Sequence, residues 1–211
     1  MDGRTTAFTE RQGVMIRPLE MTDICTVVDI YLTCFSDSAS TKLGRGFLDG
    51  YITGFCGSSR GVAFVHTVES RVVGFILGGM NISALSREIV SRSKAKFAQS
   101  VIRNLMRHPV KSTRIFWGYA RAFLLPKKKT FYSDKTAGLV SIAVLPEFRL
   151  RGIAEELIRA FLTELRRRGI HACRVGVEAE NTSARKLYEK MGFGQANEEG
   201  TSYIIRLDKK G

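Results

Sequence analysis

The 211-residue sequence has little proline (4), few cysteines (4) and no long apolar run. Each scarcity excludes something. Cys25, Cys34, Cys56 and Cys173 are scattered, with no CxxC pair and no histidine at ligand spacing. That argues against a disulfide scaffold and against a zinc or other metal site, and it fits a reducing compartment. The longest apolar stretch, Val72 to Met80, is broken by glycines. It is far shorter than the ~20 residues that a membrane-spanning helix needs. Residues 1–13 are polar and lack the apolar core of a secretory signal, so they are expected to be a leader. With 44% hydrophobic residues the chain is too apolar for disorder, and no glycine or proline period points to a fibre. The expectation is one soluble, cytoplasmic domain over residues 14–211, long enough to bury a sizeable core.

What is plentiful is positive charge, and it is unevenly placed. The formal net charge is +13, yet residues 85–130 alone carry 12 Lys/Arg against the single acid Glu88. Within that stretch Phe97, Val101 and Leu105, then Phe116, Tyr119 and Phe123, recur at helical spacing. Residues 85–130 are therefore expected to be an inserted pair of basic amphipathic helices. Few aromatics interleave the lysines as a single-strand binder would need, which argues against nucleic acid. An acidic partner, or an anionic membrane surface with peripheral placement at the inner face, suits the segment better.

The rest reads as alternating strands and helices. Val14 to Leu19 reads as a strand, followed by a helix that carries Ile24, Val27, Val28, Tyr31 and Phe35 and is capped by Thr22 or Asp23. A second short helix is expected around Phe47, Leu48, Tyr51 and Phe55. Val62 to Val68 and Val72 to Met80 then form a hairpin around Glu69-Ser70-Arg71. Beyond the basic segment come a strand at Leu139 to Val144, a helix from Gly152 to Arg168 and a strand at Cys173 to Val177. A helix from Ser183 to Met191 and a strand from Ser202 to Leu207 complete the pattern. This order predicts an α/β fold with a mixed sheet and one βαβ crossover near its centre.

Two segments carry chemistry. In Val144-Leu145-Pro146-Glu147-Phe148-Arg149-Leu150-Arg151-Gly152-Ile153-Ala154 a buried strand ends and a helix begins at a glycine followed by a small residue, Ala154. Free backbone N–H groups at such a helix start, beside two arginines, suit a diphosphate. In Asn181-Thr182-Ser183-Ala184-Arg185-Lys186-Leu187-Tyr188 the asparagine opens a helix, and Tyr188 shares a helix face with Ala184.

Together the two segments resemble the GNAT superfamily of acetyl-CoA-dependent N-acyltransferases. Arg149-x-x-Gly152-x-Ala154 is similar to its pyrophosphate loop, (Q/R)xxGx(G/A). Asn181-x-x-Ala184-x-x-Leu187-Tyr188-x-x-x-Gly192-Phe193 is similar to its second signature. The resemblance implies a GNAT-like fold in which the strand ahead of the loop, the fourth expected, splays from the next. The exposed backbone of Ile142, Ala143 and Val144 would then lie along the pantetheine arm of acetyl-CoA. Arg149, Leu150, Arg151, Gly152, Ile153 and Ala154 would take the diphosphate, and Asn181 would line the pantetheine. Tyr188 matches the tyrosine proposed to protonate the departing thiolate, and no metal is implied. A position near Gly138, where many relatives carry an acid, holds none here. Asp134, Glu178, Glu180 and His66 are the residues from which a base would have to come, and none is singled out.

The implied reaction is direct acetyl transfer in a ternary complex. The expected acceptor is the primary amine of a small molecule, an amino sugar or nucleotide-linked amino sugar. The alternatives are a protein amine docked through the basic insertion, or a CoA- or anion-binding module without catalysis.

Overall fold

The computed structural model describes residues 8–11, 14–92 and 135–207. Among the described residues, eight strands form one sheet in the order β1-β2-β3-β4-β5-β6-β8-β7. They are β1 (Phe8–Arg11), β2 (Val14–Pro18), β3 (Gly61–Val68), β4 (Arg71–Met80), β5 (Thr136–Val144), β6 (Ala172–Gly176), β7 (Gly194–Gln195) and β8 (Ser202–Arg206). All neighbours are antiparallel except β5 and β6, which are parallel and joined by a crossover helix. The helices are α1 (Ile24–Cys34), α2 (Ala39–Lys42), α3 (Arg45–Cys56), α4 (Ile82–Arg92), α5 (Ile153–Arg167) and α6 (Thr182–Lys190).

The expected mixed α/β order is present, with local differences. Part of the expected leader, Phe8–Arg11, is an edge strand paired antiparallel to β2, so the strand ahead of the loop is β5 rather than the fourth. Asp23 does not cap α1 through its side chain. Its carboxylate instead accepts both Arg17 guanidinium donors, at 2.5 and 2.8 Å, and the Glu20 backbone N–H at 3.0 Å. The expected basic insertion is represented by its first helix turns, α4; residues 93–134 lie outside the described residues, and with them the rest of that expectation. No described helix is long and apolar enough to cross a membrane.

Alternation along the strands builds a core on each face. Val62 and Phe64 of β3 and Ile76 of β4 face α5, whose Leu157, Ile158, Phe161 and Leu165 are fully buried. Each such side chain contributes about 1.5–3 kcal/mol of transfer free energy. Val65, Phe75 and Leu77 face the other way, onto Val27, Val28, Leu48 and Ile52 from α1 and α3. Glu69 and Ser70 both have positive φ, which gives the β3–β4 hairpin the tight two-residue turn whose twist matches the strands.

Candidate active site

The sheet opens where the two motif segments meet. β5 and β6 pair from Thr136↔Ala172 to Leu139↔Val175 and no further. At the same point β5 carries one extra residue, Val140, against β4: Leu77 pairs with Ser141 and Gly78 with Leu139. A bulge bends its strand and increases the local twist, so Ile142, Ala143 and Val144 diverge from β6, and on that side they pair with no other strand among the described residues. A cleft of about 740 Å³ fills the gap. Its walls bring together Ile142, Ala143, Val144, Arg149, Leu150, Gly152, Ile153, Ala154, Asn181 and Tyr188, with Cys34 and Phe35 from the end of α1.

The loop after β5 is built by local geometry. Pro146 starts a single 3-10 turn, Pro146–Phe148, and Leu150 and Gly152 both take positive φ, 61° and 83°. Gly152 is the left-handed N-cap of α5, and a Cβ placed on it would meet nothing within 4 Å. The glycine is thus demanded by backbone conformation, and its open side is where a ligand can approach the main chain. The helical ladder begins at Glu156 N–H, which donates to Gly152 O, so the N–H groups of Ile153, Ala154 and Glu155 are left at the helix start.

The arginines do not both turn toward this anion site. Arg149 Nε donates to Val144 O at 3.1 Å, folding the side chain back onto the end of β5. The same carbonyl accepts from Cys34 Sγ at 3.5 Å, so both of its lone pairs are used and Val144 has no carbonyl free for a ligand. Arg151 does not line the cleft; its guanidinium lies over the Phe148 ring at 5.2 Å, with Arg71 on the same ring at 5.7 Å.

The second segment contributes α6. Asn181 is its N-cap, the side-chain oxygen accepting from Ala184 N–H at 3.0 Å while the residue lines the cleft. Tyr188 is 4% exposed, its ring packed against Phe193 and Tyr203. Its hydroxyl has no hydrogen-bond partner among the described residues, and burial pushes its pKa up to about 12. A neutral hydroxyl with its proton uncommitted, at the wall of the cleft, is chemically a donor. Lys190, from the last turn of α6, bonds Glu155 of α5 and holds that carboxylate below its ordinary range.

The candidate bases are not gathered here. A Cβ at Gly138 would lie 2.5 Å from Ile82 Cγ1, so α4 closes the position where an acid would otherwise stand. Glu178 and Glu180 are exposed and do not line the cleft. His66 is buried under α5, at 1% exposure, and bonds Glu156. Asp134 lies outside the described residues. Among the described residues no group of three or more His, Cys, Asp or Glu could hold a metal ion. Sequence reasoning missed Cys34 and Phe35, which reach the cleft only because α1 packs on β4 and β5; no local pattern marks them.

Residues 104–193 match the acetyltransferase (GNAT) family. A [Ribosomal protein bS18]-alanine N-acetyltransferase of Haemophilus ducreyi is 41% identical over 59 residues, which is 28% of this chain and 41% of the relative. The chain thus spans about two fifths of the length of the curated relatives it matches. The solved ribosomal-protein-S18-alanine N-acetyltransferase of Escherichia coli superposes with a TM-score of 0.57 at 17% identity, covering 94% of this chain and 96% of that one. The PaiA N-acetyltransferase of Thermoplasma acidophilum, solved in complex with coenzyme A, gives 0.58 at 14% identity, over 92% and 97% of the two chains. At these identities the structural likeness is one of fold.

Proposed function

The chain is GNAT-like in its motifs and in its fold, and on that premise we propose that it is an acetyl-CoA-dependent N-acetyltransferase. One observation carries the reading. The unpaired edge of β5, the bare amides of α5 and the uncommitted Tyr188 hydroxyl line one cleft. That donor set fits a CoA thioester: backbone groups for the pantetheine amides, helix-start amides for the diphosphate and a proton donor for sulfur.

Acetyl-CoA supplies the activated acyl group. Ile142 and the Val144 N–H offer backbone groups to the pantetheine arm, since Ala143 turns its carbonyl to β4, beside Asn181, whose amide nitrogen is not used in capping. The N–H groups of Ile153, Ala154 and Glu155 hold the diphosphate, aided by the positive end of the helix. Arg149 braces the loop from the cleft wall through Val144 O. The amine nitrogen bonds to the acyl carbon as the carbon–sulfur bond breaks, and Tyr188 gives its proton to the sulfur. The amine loses its proton to water, and a proton from solvent restores the Tyr188 hydroxyl, so the exchange balances.

For the acceptor we favour a protein amine over the small-molecule amino sugar. The curated relatives are named for an alanine of a ribosomal protein, which supports an N-terminal amine. The deciding experiment incubates the full chain with acetyl-CoA and either peptides with a free N-terminal alanine or a panel of amino sugars. Mass spectrometry should find acetyl groups on the peptides. Acetylation confined to the sugars would restore the small-molecule reading, and CoA binding with no turnover on either would leave a binding module.

A further inference from the structure

The Nδ1 of His66 is fully buried and has no hydrogen-bond partner among the described residues. Leaving a polar atom unpaired in a core costs on the order of 1–3 kcal/mol. The other ring nitrogen, Nε2, lies 2.9 Å from Glu156 Oε2, in the first turns of α5. A carboxylate can only accept, so Nε2 carries a proton and donates it to Glu156.

The neighbouring position on the sheet has a matching feature. His66 pairs across the ladder with Gly74 of β4. A Cβ at Gly74 would lie 2.9 Å from Ala143 O and 3.5 Å from Ile153 Cγ2. The first residue of α5 therefore seats over the space that Gly74 leaves, and Glu156 bonds to His66 beside it. Ile153 and Glu156 are three residues apart and share a helix face, so both are fixed to adjacent sheet positions. On the ladder here Val73 is an extra residue on β4, between the pairs His66↔Gly74 and Thr67↔Val72. Its carbonyl accepts from Leu145 N–H at 2.9 Å, which ties down the start of the loop.

We propose that His66 is a positioning residue for the anion site: through Glu156 it clamps the start of α5 to the sheet, so that the amides of Ile153, Ala154 and Glu155 are held in the arrangement that receives a diphosphate. His66 touches neither ligand nor reacting atoms. It acts by preorganisation, which lowers the ordering cost of binding. The inference rests on the CoA reading above.

Charge alone predicts the opposite sign, and this makes the proposal testable. Glu156 is an acid near a site for a dianion, so Glu156→Ala should tighten CoA binding if electrostatics governed. The clamp predicts that Glu156→Ala weakens it by ~10-fold, the loss of one charge-assisted hydrogen bond. The probe is CoA itself, titrated by calorimetry into the full chain, with acetyl-transfer kinetics alongside. Expected results are weaker CoA binding for His66→Leu and Glu156→Ala, and no further loss in the double variant. Glu156→Gln and His66→Gln, which keep a hydrogen-bonding partner, should hold affinity, and kcat should stay near wild type throughout. Unchanged or tighter binding in Glu156→Ala overturns the clamp, and so do additive losses in the double variant. Glu156 is half exposed on its side chain, so this readout survives even if His66→Leu does not fold. Wild-type protein that fails to bind CoA would instead sink the functional reading on which the clamp rests.

Discussion

Arg149 Nε lies 3.1 Å from Val144 O, so the first arginine of the loop is bonded to its own chain five residues back. Held through Nε, the guanidinium closes the turn between β5 and α5. Its effect on a bound diphosphate is then mainly geometric.

Arg149→Ala should therefore weaken CoA binding by ~10-fold, and the deficit should persist at high salt. A direct counter-ion would lose its advantage as the Debye length falls from about 10 Å at 0.1 M to about 3 Å at 1 M. Calorimetry at those two ionic strengths separates the cases, because a deficit that vanishes at 1 M would make Arg149 a counter-ion after all.

Gly152→Val should cost both stability and affinity. At φ +83° a β-branched residue is strained, by about 1–2 kcal/mol. For a chain of this size that is a fall in Tm of roughly 2–8 °C. CoA affinity should fall at least ~10-fold, because the open side of the glycine is the approach to the main chain. Gly152→Asn, which tolerates the left-handed region, should recover most of the Tm and little of the affinity. Full affinity in a folded Gly152→Val protein would remove the loop from the binding site.

Tyr188→Phe should lower kcat by about ten- to a thousand-fold, the range for one general acid. CoA affinity should hold. Burial raises the hydroxyl to about 12, so the donating form persists across the working range. The wild-type rate should then show no alkaline decline attributable to this residue below about pH 11. Equal turnover in the phenylalanine variant would reduce Tyr188 to a packing residue.

Alkaline stability should follow from two buried groups together with half-buried Cys56, which burial pushes up to about 11. Burial pushes Cys173 up to about 12 from an ordinary thiol value near 9, and Tyr188 up to about 12 from near 10. Both are raised in the folded state, so their contribution is complete below about pH 9 and is lost as pH climbs through 12. The fall attributable to Tyr188 is on the order of 3 kcal/mol. Denaturant titrations from pH 8 to 12 should show a plateau and then a decline, with a shallower decline in Cys173→Ala. An unchanged slope in that variant would mean that its thiol takes no part.

Local sequence determined most of the secondary structure and both motif segments. Gly152, Gly169 and Gly192 all take positive φ where helix starts and ends were expected, since backbone preference is a property of a few adjacent residues. The 3.6 spacing of Leu157, Phe161 and Leu165 likewise named the buried face of α5. β1 and β7, at four and two residues, are too short to carry a period, and only their ladder partners make them strands. Tertiary structure alone decided where the long side chains point. Arg149 turned to Val144, Arg151 to Phe148 and His66 to Glu156, each through a partner set by packing rather than by its neighbours in the chain. It also decided the opening between β5 and β6, because the bulge at Val140 and the last pair at Leu139 and Val175 are facts of register between strands far apart in sequence.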